Sequence, residues 1–304
     1  MAGFDHLVVA LGCAEGDASL IAYASMLAGL GGTKEVRFAH VAESSAAAAT
    51  VREQMRAKVA AEFSGTARTE CDVLSGPLTD RLLAYVTEFQ ADLILIGSKK
   101  HKLGARLAMV APCSVAVIPN GHPARLSHLM IAIDFSDAAG DTLQWATSLA
   151  AGDRSIRCTA LHVMTHESAD LFADNESAPE QAEAMRKAVA RADLHGVAVA
   201  PRLASVSRTS DIGRSHPFFL PASIQGADVA HTILGEAEAC EADCIALSTR
   251  GRSASGSILL GSVTEKVIER ATKPLLVGKH FGASLGVGEI LLGRAGWRPG
   301  LKTS

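Results

Sequence analysis

The chain has 304 residues, 48% of them hydrophobic and 20% charged, with a formal net charge of −3. That balance excludes a wholly disordered chain, and the charge excludes a global basic field that would draw it onto nucleic acid or anionic lipid. No apolar run approaches the roughly 20 residues of a membrane helix, and the N-terminal run of about six is too short for a signal-peptide core, so a cytoplasmic protein of two ordinary domains is expected.

Taken in chain order, short β-branched apolar runs alternate with longer helical stretches. Strands are expected near 6–11, 35–41, 67–74, 92–97 and 114–118, and again near 128–133, 156–163, 196–204, 243–248 and 274–278. Between the first two lies Ala18–Leu30, with apolar residues at 20, 23, 24, 27 and 30, which is helical spacing. Near-continuous apolar strands separated by helices call for a parallel sheet covered on both faces. The fold class is therefore α/β, as two tandem doubly wound five-stranded parallel-sheet domains. In such sheets, ligands bind beyond the carboxyl ends of the strands at the topological switch point.

The two sets of strands are copies of one unit. HLVVALG at 6–12 aligns with HLMIAID at 128–134, and His40-Val41 with His162-Val163, both at an offset of 122. ADLILIGS at 91–98 matches ADCIALST at 242–249 at an offset of 151, and LAMVAPCSVAVI at 107–118 matches VIERATKPLLVG at 267–278 at 160. The expected domains are 1–122 and 123–280, with a tail at 281–304. The second carries an insertion near 205–224, SVSRTSDIGRSHPFFLPASI, which reads as a surface excursion packing Phe218 and Phe219 on its own domain, or as a lid or partner loop. Pairing of the two fifth strands, near 114–118 and 274–278, would make the chain the equivalent of a dimer of single domains; a further homodimer is the other arrangement.

Six cysteines without a secretory signal read as reduced thiols. Cys240 and Cys244, spaced C-x3-C with no His beside them, read as buried structural thiols and not as a metal site.

The stretch with the strongest chemical character is STRGRSASGSILLGSVTEKVIER at 248–270, which joins a strand to a helix through three glycines and seven hydroxyl side chains. Such a junction presents backbone N–H groups and a helix N-terminus to an anion. Ser262, with Glu265 three residues on, has the spacing of a capping box, and on that reading it is a cap and nothing more. Gly251 and Gly256 have the glycine interval of a P-loop, but Ser257 stands where the Lys should be. G-x-G-x-x-G does not occur here, and the loop follows the fourth strand of its unit. Spacing alone leaves a phosphate cradle and a plain connection equally open.

The chain resembles a tandem universal stress protein over about residues 1–279. The ATP-binding branch of that family carries G-x2-G-x9-G-[S/T] after its fourth strand. Ser248-x2-Gly251-x9-Gly261-Ser262 fits every spacing, with Ser in place of the first Gly. The resemblance implies ATP or a related adenine nucleotide, with Mg2+ as an accompanying ion. Its adenine would lie near Ala132 and the backbone of Val163, its ribose near Asp134, and its phosphates on Ser248, Gly251, Arg252, Gly261, Ser262 and Val263. Arg250 would add charge.

The first copy departs from this pattern. Gly12 stands where Asp134 stands, and its loop GSKKHKLGARLAMVAPCS is nine residues shorter. That loop carries Lys99, Lys100, His101, Lys102 and Arg106, which either attract an anion at the strand's carboxyl end or form a solvated surface, the second being preferred. The first domain is thus expected to be degenerate and the second to hold the nucleotide. The implied role is a regulatory stress-response protein acting on an unidentified protein partner, with at most slow ATP turnover. His162 and His231 are catalytic candidates by residue type only, and a structural role is preferred for both. The competing readings are an interaction module that binds no nucleotide and an enzyme related to the ATP pyrophosphatases, whose S-G-G-x-D-S loop is absent.

Overall fold

The computed structural model describes residues 4–14, 16–42, 48–97, 101–164, 183–187, 189–190, 196–206, 222–250 and 260–279. The expected insertion therefore lies almost wholly outside the described residues, as do Phe218, Phe219, the tail and Lys99 and Lys100.

The first half runs β1 (His6–Ala10), α1 (Asp17–Gly31), β2 (Glu35–Ala42), α2 (Ala48–Glu62), β3 (Arg68–Ser75), α3 (Leu78–Glu88), β4 (Leu93–Gly97), α4 (His101–Val110) and β5 (Ser114–Ile118). The second runs β6 (His128–Ala132), α5 (Asp137–Ala150), β7 (Arg157–Met164), β8 (Val199–Ser205), α6 (Ala222–Ala239), β9 (Cys244–Ser248), α7 (Ser262–Arg270) and β10 (Leu275–Gly278). One ten-stranded sheet results, in the order β3-β2-β1-β4-β5-β10-β9-β6-β7-β8.

Within each half every neighbouring pair is parallel. The halves join where β5 and β10 pair antiparallel, with Leu275 opposite Val117, Leu276 opposite Ala116 and Val277 opposite Val115. The fifth strands thus meet as the repeat suggests.

Strand residues alternate between the faces of the sheet, and both faces are covered. Leu7, Val9, Phe38, Leu93, Leu95, Leu129 and Ile131 pack with α1, α2 and α5 on one side. Val8, Ile94, Ile96, Met130, Ile245 and Leu247 pack with α3, α4, α6 and α7 on the other. Each buried large aliphatic side chain contributes about 1.5–3 kcal/mol, which is why the strand cores tolerate almost no polar residue. Both cores run through both halves, so the seam is no gap. Helix α1 buries Leu20, Ile21, Tyr23, Ala24, Leu27 and Ala28 and ends where Gly32 takes φ 65° and its N–H reaches the Ala28 carbonyl, the left-handed cap that favours glycine.

The repeat extends to backbone detail that spacing alone does not reveal. Asp92 and Asp243 each donate a backbone N–H to the first residue of the neighbouring strand, His6 O and His128 O, both at 2.9 Å. Just before them, Gln90 and Glu241 hold left-handed φ values of 53° and 55°. The carboxylates differ in reach. Asp92 accepts from His6 N–H at 2.9 Å. Asp243 accepts from Ser127 N–H (2.7 Å), Ser127 Oγ (2.6 Å), His128 N–H (2.9 Å) and Arg125 Nε (2.8 Å).

The halves also meet through helices. Phe4 sets its ring edge-on to Trp145 of α5 at 5.3 Å, and Gly152, after α5, lies against the end of α1. A Cβ on Gly152 would stand 2.3 Å from Leu30 O and 2.9 Å from Leu30 C, and backbone cannot swing aside as a side chain can. Gly152→Ala is therefore expected to destabilise the protein by about 1–3 kcal/mol, read as a lowered midpoint in urea unfolding. An unchanged midpoint would show that this approach carries no packing constraint.

Candidate functional site

The order β10-β9-β6-β7-β8 puts the switch point of the second half between β6 and β9. From β6 the chain winds outward through β7 and β8, then returns to β9 on the other side. The carboxyl ends of β9, β6 and β7 therefore lie side by side. Ala132 ends β6 half-buried, Val163 is half-buried near the end of β7, and Ser248 ends β9 buried. Asp134 follows β6 in the same rim, half-buried. Its Oδ1 accepts from the N–H (3.0 Å) and hydroxyl (2.6 Å) of Ser136, which orient the carboxylate. Ser136 in turn caps α5, its Oγ accepting from Ala139 N–H. Neither Ser136 nor the left-handed Phe135 (φ 63°) is singled out by the sequence reading, although S-D after the strand is an N-cap signal.

At the other side of the crevice, the glycine-rich loop is pinned at its base. Gly261 N–H donates to Thr249 O at 2.9 Å, and Thr249 N–H donates to Gly278 O at 3.1 Å. Thr264 Oγ1 donates to Ser248 O at 2.8 Å, and Ser248 Oγ donates to Arg250 O. Gly251 and Arg252 lie outside the described residues. Ser262 does not cap the helix: Gly261 is the N-cap, extended at φ −60° and ψ 137°, and Ser262 is the first helical residue, exposed. The shift of one position arises because Gly261, pinned to Thr249, already carries the extended conformation a cap needs. The capping-box reading is thereby corrected, and Ser262 and half-buried Val263 form the first turn of α7 with its N-terminus facing the rim. Thr264→Val, which keeps shape but loses the bond to Ser248, is expected to cost about 1–2 kcal/mol; an unchanged unfolding midpoint would show that the loop base is held by its backbone bonds alone.

Two cations flank this rim. Lys279, immediately after β10, reaches across the seam to donate from Nζ to Met109 O at 3.0 Å. Burial, and next the charge of Arg250, hold its ammonium down to about 8. The proximity of Lys279 and Arg250 makes the ends of β9 and β10 locally positive. Lys279 is absent from the sequence reading because a lysine following a strand carries no local signal.

Two of the histidines are tied to the backbone of the strand ends. His162 is buried in β7, where Nδ1 donates to Ile133 O at 2.9 Å, and its ring lies 4.3 Å from that of Phe135. His40 does the same in the first half, Nδ1 donating to Leu11 O at 3.0 Å. His231 is exposed on α6.

The same rim of the first half is arranged differently. Its turn has the same backbone, with Cys13 at φ 55° where Phe135 stands, yet Gly12 offers no carboxylate. Asp17, buried at the start of α1, supplies one from the helix side. Its Oδ1 accepts from Gly12 N–H at 2.9 Å and its Oδ2 from Ala14 N–H at 3.2 Å. Lys58 sits 3.8 Å from that carboxylate and donates to Ala14 O at 2.9 Å. Asn120 packs over the same edge: a Cβ on Gly16 would meet Asn120 Oδ1 at 2.7 Å, and one on Gly97 would meet it at 3.4 Å. The first-half turn thus satisfies its N–H groups with the chain's own carboxylate. The basic cluster of the shorter connection is solvated where described, but it stands on a helix and not in a loop. Helix α4 begins at His101, so Lys102 and Arg106 lie exposed on its surface, because a connection nine residues shorter leaves little chain between strand and helix.

The six cysteines are free thiols; Cys244 is buried as the C-x3-C reading expects, whereas Cys240 is only half-buried. Among the described residues no group of three or more His, Cys, Asp or Glu side chains is placed to hold a metal, and no helix is long and apolar enough to cross a membrane.

Two doubly wound parallel halves, joined through their fifth strands, define an adenine nucleotide alpha hydrolase-like fold. The chain belongs to the universal stress protein family, whose sequence model matches residues 126–279. The whole chain is similar in fold to a universal stress protein from Archaeoglobus fulgidus DSM 4304, at 15% identity over 90% of this chain and 96% of that one, with a TM-score of 0.63. It is also similar to a functionally unknown protein from Pseudomonas aeruginosa PAO1, at 12% identity over 96% and 98% of the two chains, with a TM-score of 0.66. No curated protein matches the chain.

Proposed function

We propose that this universal stress protein binds one ATP, or a related adenine nucleotide, in its second half and acts as a nucleotide-dependent regulator in a stress response. The observation that carries the reading is the convergence of Ala132, Asp134, Val163, Ser248 and Gly261 on adjacent strand ends at the switch point. In this reading adenine lies against Ala132 and Val163, and the ribose hydroxyls bond to the carboxylate that Ser136 orients. The phosphates take N–H groups from Gly261, Ser262 and Val263 at the start of α7, with Gly251 and Arg252 completing the loop.

The field of Arg250 and Lys279 supports an anion there. Hydrogen bonds to charged groups are worth about 1.5–3 kcal/mol each, so three or four support roughly micromolar affinity after entropic costs. Mg2+ would accompany the phosphates, with Asp134 the nearest carboxylate in the reading. The units are 1–122 and 123–280, with 281–304 as a tail. The family match on the second unit supports a degenerate first one, as does the turn closed by Asp17. The protein is taken to bind nucleotide and not to turn it over rapidly, since His162 is committed to the backbone.

The test is to denature protein purified without added nucleotide and identify what is released by chromatography. An adenine nucleotide is expected. Release of nothing, together with no binding at millimolar ATP, would overturn the reading in favour of an interaction module.

A further inference from the structure

A groove of about 800 Å³ opens between α2 and β3 in the first half, away from the crevice described above, and is lined among others by Arg52, Arg56, Phe63, Thr69 and Cys71. That volume falls in the range of small-molecule sites, roughly 300–1,000 Å³. Arg52 and Arg56 are four apart on α2, so their side chains rise from one face, and Phe63 continues that face just past the helix end.

The charges in the groove are unequal in their commitments. Glu70 is drawn to Arg68 and lies 3.8 Å from Arg37, and Asp72 accepts from the Tyr85 hydroxyl. Neither Arg52 nor Arg56 has a carboxylate partner among the described residues. The Nε of Arg52 is buried without any hydrogen-bond partner, and a buried donor in a native fold ordinarily has an acceptor. Both arginines line the groove together with Cys71, whose thiol is raised by burial while Arg56 lowers it, Asp72 raises it and Arg52 lowers it.

Phe63 forms the apolar wall. Its ring stands edge-on to Phe38 at 5.8 Å, and Gly65 lies close to it, where a Cβ would meet the ring at 2.6 Å. Paired guanidinium groups suit the planar, multiple acceptors of phosphate or carboxylate.

We propose that the α2–β3 groove is a second binding site, for a small molecule carrying a phosphate or carboxylate group on a flat apolar body. Arg52 and Arg56 take the anionic group and Phe63 takes the flat body. The site is independent of the nucleotide crevice and does not rest on it.

The test is titration of phenyl phosphate into the 15N-labelled full chain, followed by amide and arginine Nε shifts. Saturable shifts at Arg52, Arg56, Phe63, Thr69 and Cys71 are expected, with affinity at least tenfold weaker in Arg56→Glu. Arg56 is exposed, so that variant keeps its fold, and an otherwise unchanged spectrum verifies it. Arg52→Lys, which keeps the charge and loses the fork, is expected to bind at an intermediate level. The same shifts in the Gly261→Val protein would support a site separate from the nucleotide crevice. No saturable shifts, shifts confined to residues 248–263, or shifts that persist in Arg56→Glu would overturn the site. Equal affinity for inorganic phosphate would overturn the part assigned to Phe63.

Discussion

Asp243→Ala is expected to lower stability by about 3–5 kcal/mol, because two backbone N–H groups and a hydroxyl lose their buried acceptor together. The carboxylate, with its side chain only 3% exposed, holds two backbone N–H groups, the Ser127 hydroxyl and Arg125. It thereby fastens the entry to the second half onto the start of β9. Truncation strands the Ser127 and His128 donors at once, while the exposed Arg125 turns to water.

The effect carries a pH signature. Burial by itself raises the carboxyl, but the bonds from Ser127, Arg125 and His128 outweigh it and hold the group down to about 2. Because the folded value is depressed below the unfolded one near 3.8, the stabilisation is fully present above about pH 4 and is lost as pH falls through 2. Its size is about 2 kcal/mol. Urea unfolding of wild type and Asp243→Asn between pH 2 and pH 7 checks this: the gap between them should narrow as the acid limb is entered. A gap that stays constant would show that the carboxylate's charge contributes nothing.

The second large effect concerns ligand. Gly261→Val and Asp134→Ala are each expected to weaken ATP binding at least tenfold, about 1.4 kcal/mol or more, with unfolding midpoints little changed. Gly261 sits at φ −60° and ψ 137°, an extended conformation open to any residue. A valine there therefore adds bulk at the helix N-terminus without backbone strain, and lost binding would report close approach of a phosphate. Asp134 is half-exposed, so its removal disturbs mainly the turn with Ser136. Calorimetric titration of both variants is the check, and wild-type affinity in both would remove these residues from the site.

Much of this fold is legible in the sequence because its strands are buried on both faces. Runs such as LILIG and SVAVI have no alternation to confuse them with surface strands, so their limits fall within a residue or two of those observed. The strand before the insertion begins at Val199 and not at 196, because its ladder starts where Cys158 of β7 becomes available.

The site was legible as a motif and illegible as a mechanism. Ser262 reads as a cap because Ser and Glu stand at capping spacing, but the backbone bond from Gly261 to Thr249 decides which residue is extended. Asp17 looks like any acid in a first helical turn, and only the tertiary turn shows it accepting from the Gly12 and Ala14 N–H groups. The two arginines of α2 are not singled out in the sequence, because their shared groove exists only once β3 is set beside the helix.

One measurement bears most directly on the asymmetry between the halves: the number of nucleotides bound per chain at saturating ATP, by equilibrium dialysis. One per chain is the predicted result, lost in Asp134→Ala. Two would contradict the closure of the first half by Asp17, and none would contradict the nucleotide site itself.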